Sequence, residues 1–168
     1  MTSASERDIQ FTEFVSARRA ELVRVAALLL SGDHARAEDV VQMALTRLYL
    51  AWPKVRLDTL DAYVRRCVVN AVIDDRRHVF RRREQAQAQV PDVATIEPHY
   101  ADHATLVALL ATLPARMRAA VVLRYVEGLS VSETAKALRC TEGTVKSQSA
   151  RGLERLRAVF PEHAHELV

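Results

Sequence analysis

Cysteine and glycine are both scarce, with two of the first and four of the second in 168 residues. Cys67 and Cys140 lie far apart and in no C-x-x-C pair, which excludes a disulfide framework and a zinc-type ligand spacing. Four glycines leave little material for phosphate-cradling loops or tight hairpins. No apolar run approaches the ~18 residues of a membrane-spanning helix, so no membrane insertion is expected. The opening MTSASERDIQ carries two acids and no apolar stretch, unlike a secretory signal. These absences describe a cytoplasmic chain in reducing surroundings.

What is abundant is alanine, 26 residues, within a composition that is 49% hydrophobic. Alanine-rich, glycine-poor sequence without strand-like alternation argues for an all-α protein. Residues 8–30 carry Phe11, Phe14, Val15, Leu22, Val25, Ala26 and Leu29 as a helical stripe, broken at Ser31-Gly32-Asp33. Residues 35–52 repeat the pattern with Val40, Val41, Ala44, Leu45 and Leu48, and Pro53 ends it. Residues 60–84 place Leu60, Tyr63, Val64, Cys67, Val68, Ala71 and Val72 on one face before turning polar. Further helices are expected at 104–112, 115–127, 131–138 and 142–160, with Gly128 as a C-cap and Pro161 as a stop.

Charge divides the chain in three. Residues 1–84 hold 15 basic and 12 acidic side chains, and 104–168 hold nine and six. Residues 85–103 hold three acids, no Lys or Arg, and two of the five prolines. The expected organisation is two small basic helical domains, 1–84 and 104–168, joined by a flexible linker at 85–103. Arginine makes up 21 of the 24 basic residues, and its planar fork suits phosphate and carboxylate partners.

The stretch 129–157 carries the sharpest signal. Ser130 with Glu133 forms a capping box, Ala135 permits a close helix crossing, and Cys140–Gly143 makes the turn. Thr141 or Thr144 caps the next helix, and Val145 and Leu153 point to the core. This is a helix-turn-helix, whose second helix enters the major groove of DNA. That helix begins with Glu142, Thr144, Lys146, Ser147, Gln148 and Arg151, where Lys and Arg reach guanine edges or phosphates and Gln pairs with adenine. Thr134, Arg139 and Ser149 stand where a stereotyped motif prefers an apolar residue, glycine and an apolar residue. The bland alternative is a helical hairpin with a solvated basic face.

In the first domain, Arg66, Asn70, Asp74, Arg77 and Arg81 recur at spacings of three and four along one helix face. Arg76, Arg77 and Arg81–Arg83 form an acid-free basic tract that would attract phosphates. Asn70 either reads a base edge or bridges helices, with Asp74 paired to Arg77; the spacing alone leaves both open. Glu38, Asp39 and Gln42 near the start of helix 35–52 serve the helix dipole or a protein partner.

The phrases AEDVVQMALTRLYLAW (37–52), DAYVRRCVVNAVIDDRR (61–77), LPARMRAAVVLRYVEGLSVSETAKAL (113–138) and GTVKSQSARGLERLR (143–157) together resemble bacterial sigma-70 factors of the extracytoplasmic function (ECF) class, the actinobacterial sigma-E family in particular. The resemblance covers about residues 10–160. It implies a sigma-2-like domain at 1–84 and a sigma-4-like helix-turn-helix domain at 104–168. Asp39 and Gln42 match positions that dock on the β′ clamp coiled coil of core RNA polymerase. Arg66, Asn70 and Arg77 match readers of the promoter −10 element, and the loop 53–60 after Trp52 matches one that captures a flipped base. Thr144, Lys146, Ser147, Gln148 and Arg151 fall on the −35-reading helix, and sigma-4 would also sit on the β flap. An anti-sigma factor is a further partner of this class.

Two rival readings compete with this one. A polymerase-independent helix-turn-helix regulator fits the second domain but not the first. An enzyme using Glu38, Asp39, Asp74 and Asp75 on a metal fits poorly, because adjacent helical residues project about 100° apart. His99 with His103, and His163 with His165, lie in or near a linker and a chain end. No catalytic residue, metal or cofactor is expected.

Overall fold

The computed structural model describes the backbone of residues 4–85 and 101–159, and the side chains of 5–76 and 103–159. Among these residues the regular structure is entirely helical: α1 (Ala4–Leu29), α2 (His34–Ala51), α3 (Leu60–Gln85), α4 (Ala101–Ala111), α5 (Ala115–Val121), α6 (Val131–Leu138) and α7 (Glu142–Val159). Two short 3₁₀ turns, Trp52–Lys54 and Leu57–Thr59, connect α2 to α3, and a π-helical turn, Val122–Val126, extends α5. The chain therefore has the all-α fold expected of it. Residues 86–100, most of the expected linker, lie outside the described residues; α4 begins at Ala101, three positions before the helix start read from the sequence.

The described residues fall into two compact units, one holding residues up to 26 and from 34 to 85, the other 27–33 and 101–159. The sequence reading places 27–33 in the first domain, but the segment groups with the second unit. Its Ala27, Leu28, Leu29 and Leu30 are all buried.

In the first unit, α2 buries Ala37, Val40, Val41, Ala44, Leu45 and Leu48, the 3.6-residue seam of an amphipathic helix. The facing seam of α3 is Leu60, Val64, Cys67, Val68, Ala71 and Val72. Arginine–carboxylate pairs tie the helices outside this core. Arg18 bonds Asp61, Arg19 bonds Glu38 (3.2 Å), Arg36 bonds Asp75, and Arg47 bonds Asp74 (3.0 Å). Asp74 is thus engaged across helices by Arg47 of α2; the Arg77 side chain, the intrahelical partner considered for it, lies outside the described residues. The 27–33 segment of the second unit ends α1 through left-handed residues, Ser31 at φ 59° and Gly32 at φ 85°, with the Gly32 amide donating to the Ala27 carbonyl (2.8 Å).

In the second unit, Leu109, Leu110, Leu113, Ala120–Leu123, Ala135, Val145 and Leu156 are buried. The capping box at the start of α6 is complete: Ser130 Oγ accepts from the Glu133 amide (3.1 Å), and Glu133 accepts from the Ser130 amide (2.8 Å). α6 stops at Arg139, which takes the left-handed conformation at φ 54°, while the Cys140 amide closes back on the Ala135 carbonyl (3.0 Å). α7 then starts under Thr141, whose Oγ1 accepts from the Thr144 amide (3.2 Å). All three departures from a stereotyped helix-turn-helix therefore occupy the places the motif assigns them. Ser149 is buried because its hydroxyl donates to the Val145 carbonyl (2.7 Å). Thr134 is fully buried with Oγ1 lacking a partner among the described residues.

A side chain in the left-handed region costs about 1 kcal/mol that glycine avoids. Arg139→Gly is therefore expected to stabilise the second unit by about 0.5–1 kcal/mol. Amide hydrogen exchange of α6 and α7 measures this; faster exchange in the variant would show that the arginine side chain contributes more than its backbone costs.

Candidate nucleic-acid interface

The seam of α7 fixes which residues face out. Val145, Ser149, Gly152 and Leu156 are buried, clustering on one side of a helix turning 100° per residue. Ser147 and Arg151 lie opposite them and are exposed. Lys146 is exposed on one flank; Thr144 and Gln148 are half-buried on the other. The Thr144 hydroxyl sits 2.9 Å from Thr141 Oγ1, and Ser147 Oγ donates to the Thr144 carbonyl (3.1 Å), which holds both hydroxyls at the helix start. Neither Lys146 nor Arg151 forms an ion pair among the described residues. Exposed Glu154 puts an acid on the same outward face, which confines the anion-friendly surface to the first half of α7. Beside the turn, a groove lined by Ser132, Lys136, Arg139 and Glu142 adds two cations, Lys136 and Arg139, neither of which the sequence reading assigned to DNA contact.

The second surface lies on α3. Arg66 is exposed, with its guanidinium 5.8 Å from the centre of the Tyr63 ring. Asn70 is half-buried, and its Oδ1 is enclosed without a hydrogen-bond partner among the described residues. The side chains of Arg77 and Arg81–Arg83 lie outside the described residues. Burial depresses the Arg76 guanidinium, nearby Arg36 lowers it further, and Asp75 opposes both. Beneath this face, burial pushes the Cys67 thiol up, and its hydrogen bond with Tyr63 offsets this only in part. Cys67 thus stays protonated at neutral pH, as a packing residue rather than a nucleophile.

On α2, Asp39 and Gln42 are exposed on one side, whereas Glu38 is drawn to Arg19. Met43 and Leu50 add exposed apolar surface to the same helix. Asp74 and Asp75, the adjacent acids of the metal alternative, pair with two different arginines, Arg47 and Arg36.

The 52–60 segment borders a cavity of about 180 Å³ lined by Trp52, Pro53, Val55, Leu57 and Leu60, with Arg7 and Gln10 of α1. Trp52 is braced by Phe11 and Phe14, with ring centroids 5.2 and 5.6 Å away. Arg7 and Gln10 escaped the sequence reading, because nothing local links a helix start at residue 7 to a turn at residue 52.

Two helical units, one ending in a helix-turn-helix, define the class. Residues 14–84 match the family Sigma-70 region 2, and residues 103–156 match Sigma-70, region 4; the chain belongs to the sigma-70 family. It is an ECF RNA polymerase sigma factor, close in sequence to the sigma-E factors of actinobacteria. The RNA polymerase sigma-E factor of Streptomyces coelicolor is 40% identical over 157 residues, covering 89% of this chain and 85% of that one. The ECF RNA polymerase sigma factor SigE of Mycolicibacterium smegmatis is 32% identical, covering 89% and 61%. A solved complex of the sigma factor RpoE with the anti-sigma factor NepR from Bartonella quintana shares the fold, with a TM-score of 0.78 at 24% identity over 91% of this chain and 98% of that one. Among the described residues, no helix is long and apolar enough to cross a membrane.

Proposed function

We propose that this chain binds core RNA polymerase and directs initiation by reading a −35 element with α7 and a −10 element with α3. The observation that carries the reading is the outward face of α7: Ser147 and Arg151 in front, Lys146, Thr144 and Gln148 on the flanks, presented behind a capped turn. On α3, Arg66, Asn70 and Arg77 are the −10 readers, and the enclosed Asn70 oxygen is an acceptor awaiting a donor such as a base amine. Asp39 and Gln42 on α2 contact the polymerase β′ clamp coiled coil, and the second unit contacts the β flap. The 53–60 turns hold a base released from the opened strand, which offsets unstacking of a few kcal/mol per step. An anti-sigma factor that covers these faces is a further partner in this reading.

Duplex binding by α7 tests it. Lys146→Ala should weaken binding to all sequences and flatten the log affinity–log salt slope by about 1. Arg151→Ala should weaken binding to a preferred duplex by at least about tenfold. Fluorescence anisotropy with duplexes selected from a random pool measures both. Unchanged affinity and slope in both variants would remove α7 as the reader.

A further inference from the structure

The cavity beside the 52–60 turns has apolar walls and one strongly polar side. Trp52, Pro53, Val55, Leu57 and Leu60 supply the walls; Arg7 and Gln10, three residues apart on α1, supply the polar groups. At about 180 Å³ it is smaller than the 300–1,000 Å³ of drug-sized ligand pockets and suits one planar nucleobase. The Trp52 indole offers a stacking wall that cannot swing freely, because two phenylalanines pack against it. Leu57 is 80% exposed, an apolar side chain that has nothing to cover in the free protein. Arg7 Nε is shielded from solvent and has no hydrogen-bond partner among the described residues. A buried N–H without an acceptor is unfavourable, and folded proteins rarely keep one without cause.

We propose that Arg7 reads the edge of the base held in this cavity and selects one with two adjacent acceptors, guanine or cytosine. The inference rests on the reading that the 53–60 turns capture an unpaired promoter base. The guanidinium presents parallel N–H groups in a fixed fork, which matches paired acceptors. Guanine offers N7 beside O6, and cytosine offers N3 beside O2. Adenine sets a donor beside its N7 acceptor, and thymine sets a donor between two acceptors, so neither satisfies the fork. Arg7 is a specificity residue in this account, acting after the helices have opened the duplex.

The test uses the full chain assembled with core polymerase. The probe is fork-junction DNA whose single-stranded tail is randomised through the −10 region, selected for binding and sequenced. The wild type should enrich guanine or cytosine at one tail position, and an abasic site there should weaken binding. Arg7→Ala and the charge-preserving Arg7→Lys should each reduce that preference by about tenfold, with preferences at other positions unchanged. Unaltered circular dichroism and duplex binding would show that the variants fold. If the abasic-sensitive position prefers adenine or thymine, or keeps its guanine or cytosine preference in both variants, the assignment of Arg7 is overturned while base capture stands. If no position responds to an abasic site, base capture itself fails, and the assignment fails with it.

Discussion

Arg118→Met should destabilise the second unit by about 3 kcal/mol or more. Arg118 is 7% exposed, and its guanidinium spans the end of α4. Nε donates to the Leu110 carbonyl at 2.9 Å, and Nη2 donates to the Leu113 carbonyl at 2.8 Å. A helix C-terminus leaves its last carbonyls without intrahelical donors, and a cation there also complements the helix dipole. Methionine fills similar volume but donates nothing, so buried carbonyls would each lose a partner at about 1–3 kcal/mol. Arg118→Lys keeps the charge and loses the fork, and should fall between the two. The chain holds two units, so a single unfolding free energy is not well defined. Native-state hydrogen exchange of the α4 and α5 amides gives the local value. A change below about 0.5 kcal/mol in the Met variant would mean that the carbonyls find other donors.

The second large effect concerns Gly152, where intrinsic propensity and packing predict opposite signs. Gly152 is in the interior of α7, so alanine there should stabilise the helix by about 1 kcal/mol. A Cβ at this position, however, would lie 2.6 Å from Val121 Cγ2 and 3.6 Å from Met117 Cβ. Val121 is buried and β-branched, so its methyl has few alternative rotamers to retreat into. Overpacking of this kind costs about 1–3 kcal/mol. Packing should win: Gly152→Ala is expected to be net destabilising, by up to about 2 kcal/mol. Gly152→Leu should separate α7 from α5 and abolish duplex binding with the fold of the unit. Native-state hydrogen exchange of the α7 amides and anisotropy on the selected duplex measure the two consequences. A stabilised alanine variant would show that α5 and α7 have slack the structure does not suggest.

Much of the fold was legible because its seams are local. Val40, Val41, Ala44, Leu45 and Leu48 declare α2 by period alone, and Ser130 with Glu133 declares the start of α6. The face of α7 was legible for the same reason, since Val145, three residues beyond Glu142, fixes which side is buried. What stayed hidden depends on partners remote in sequence. Nothing local announces the Arg47–Asp74 pair, which joins residues 27 positions apart. Arg118 reads as one more surface cation until the end of α4 folds over it. The turn Val122–Val126 has no composition signal; its i→i+5 bond, from the Glu127 amide to the Val122 carbonyl at 2.9 Å, is a product of packing. Arg7 and Gln10 face the 52–60 cavity only because α1 packs beside the α2–α3 connection.

The most direct test of the whole account is run-off transcription. Core polymerase from Streptomyces coelicolor, this chain and fragmented genomic DNA should yield discrete transcripts that core alone does not make. Those transcripts should be lost with Asn70→Ala and with Arg151→Ala, which alter separate reading surfaces. Sequence-specific duplex binding with no transcript at any promoter would contradict the account and leave a DNA-binding protein that works without polymerase.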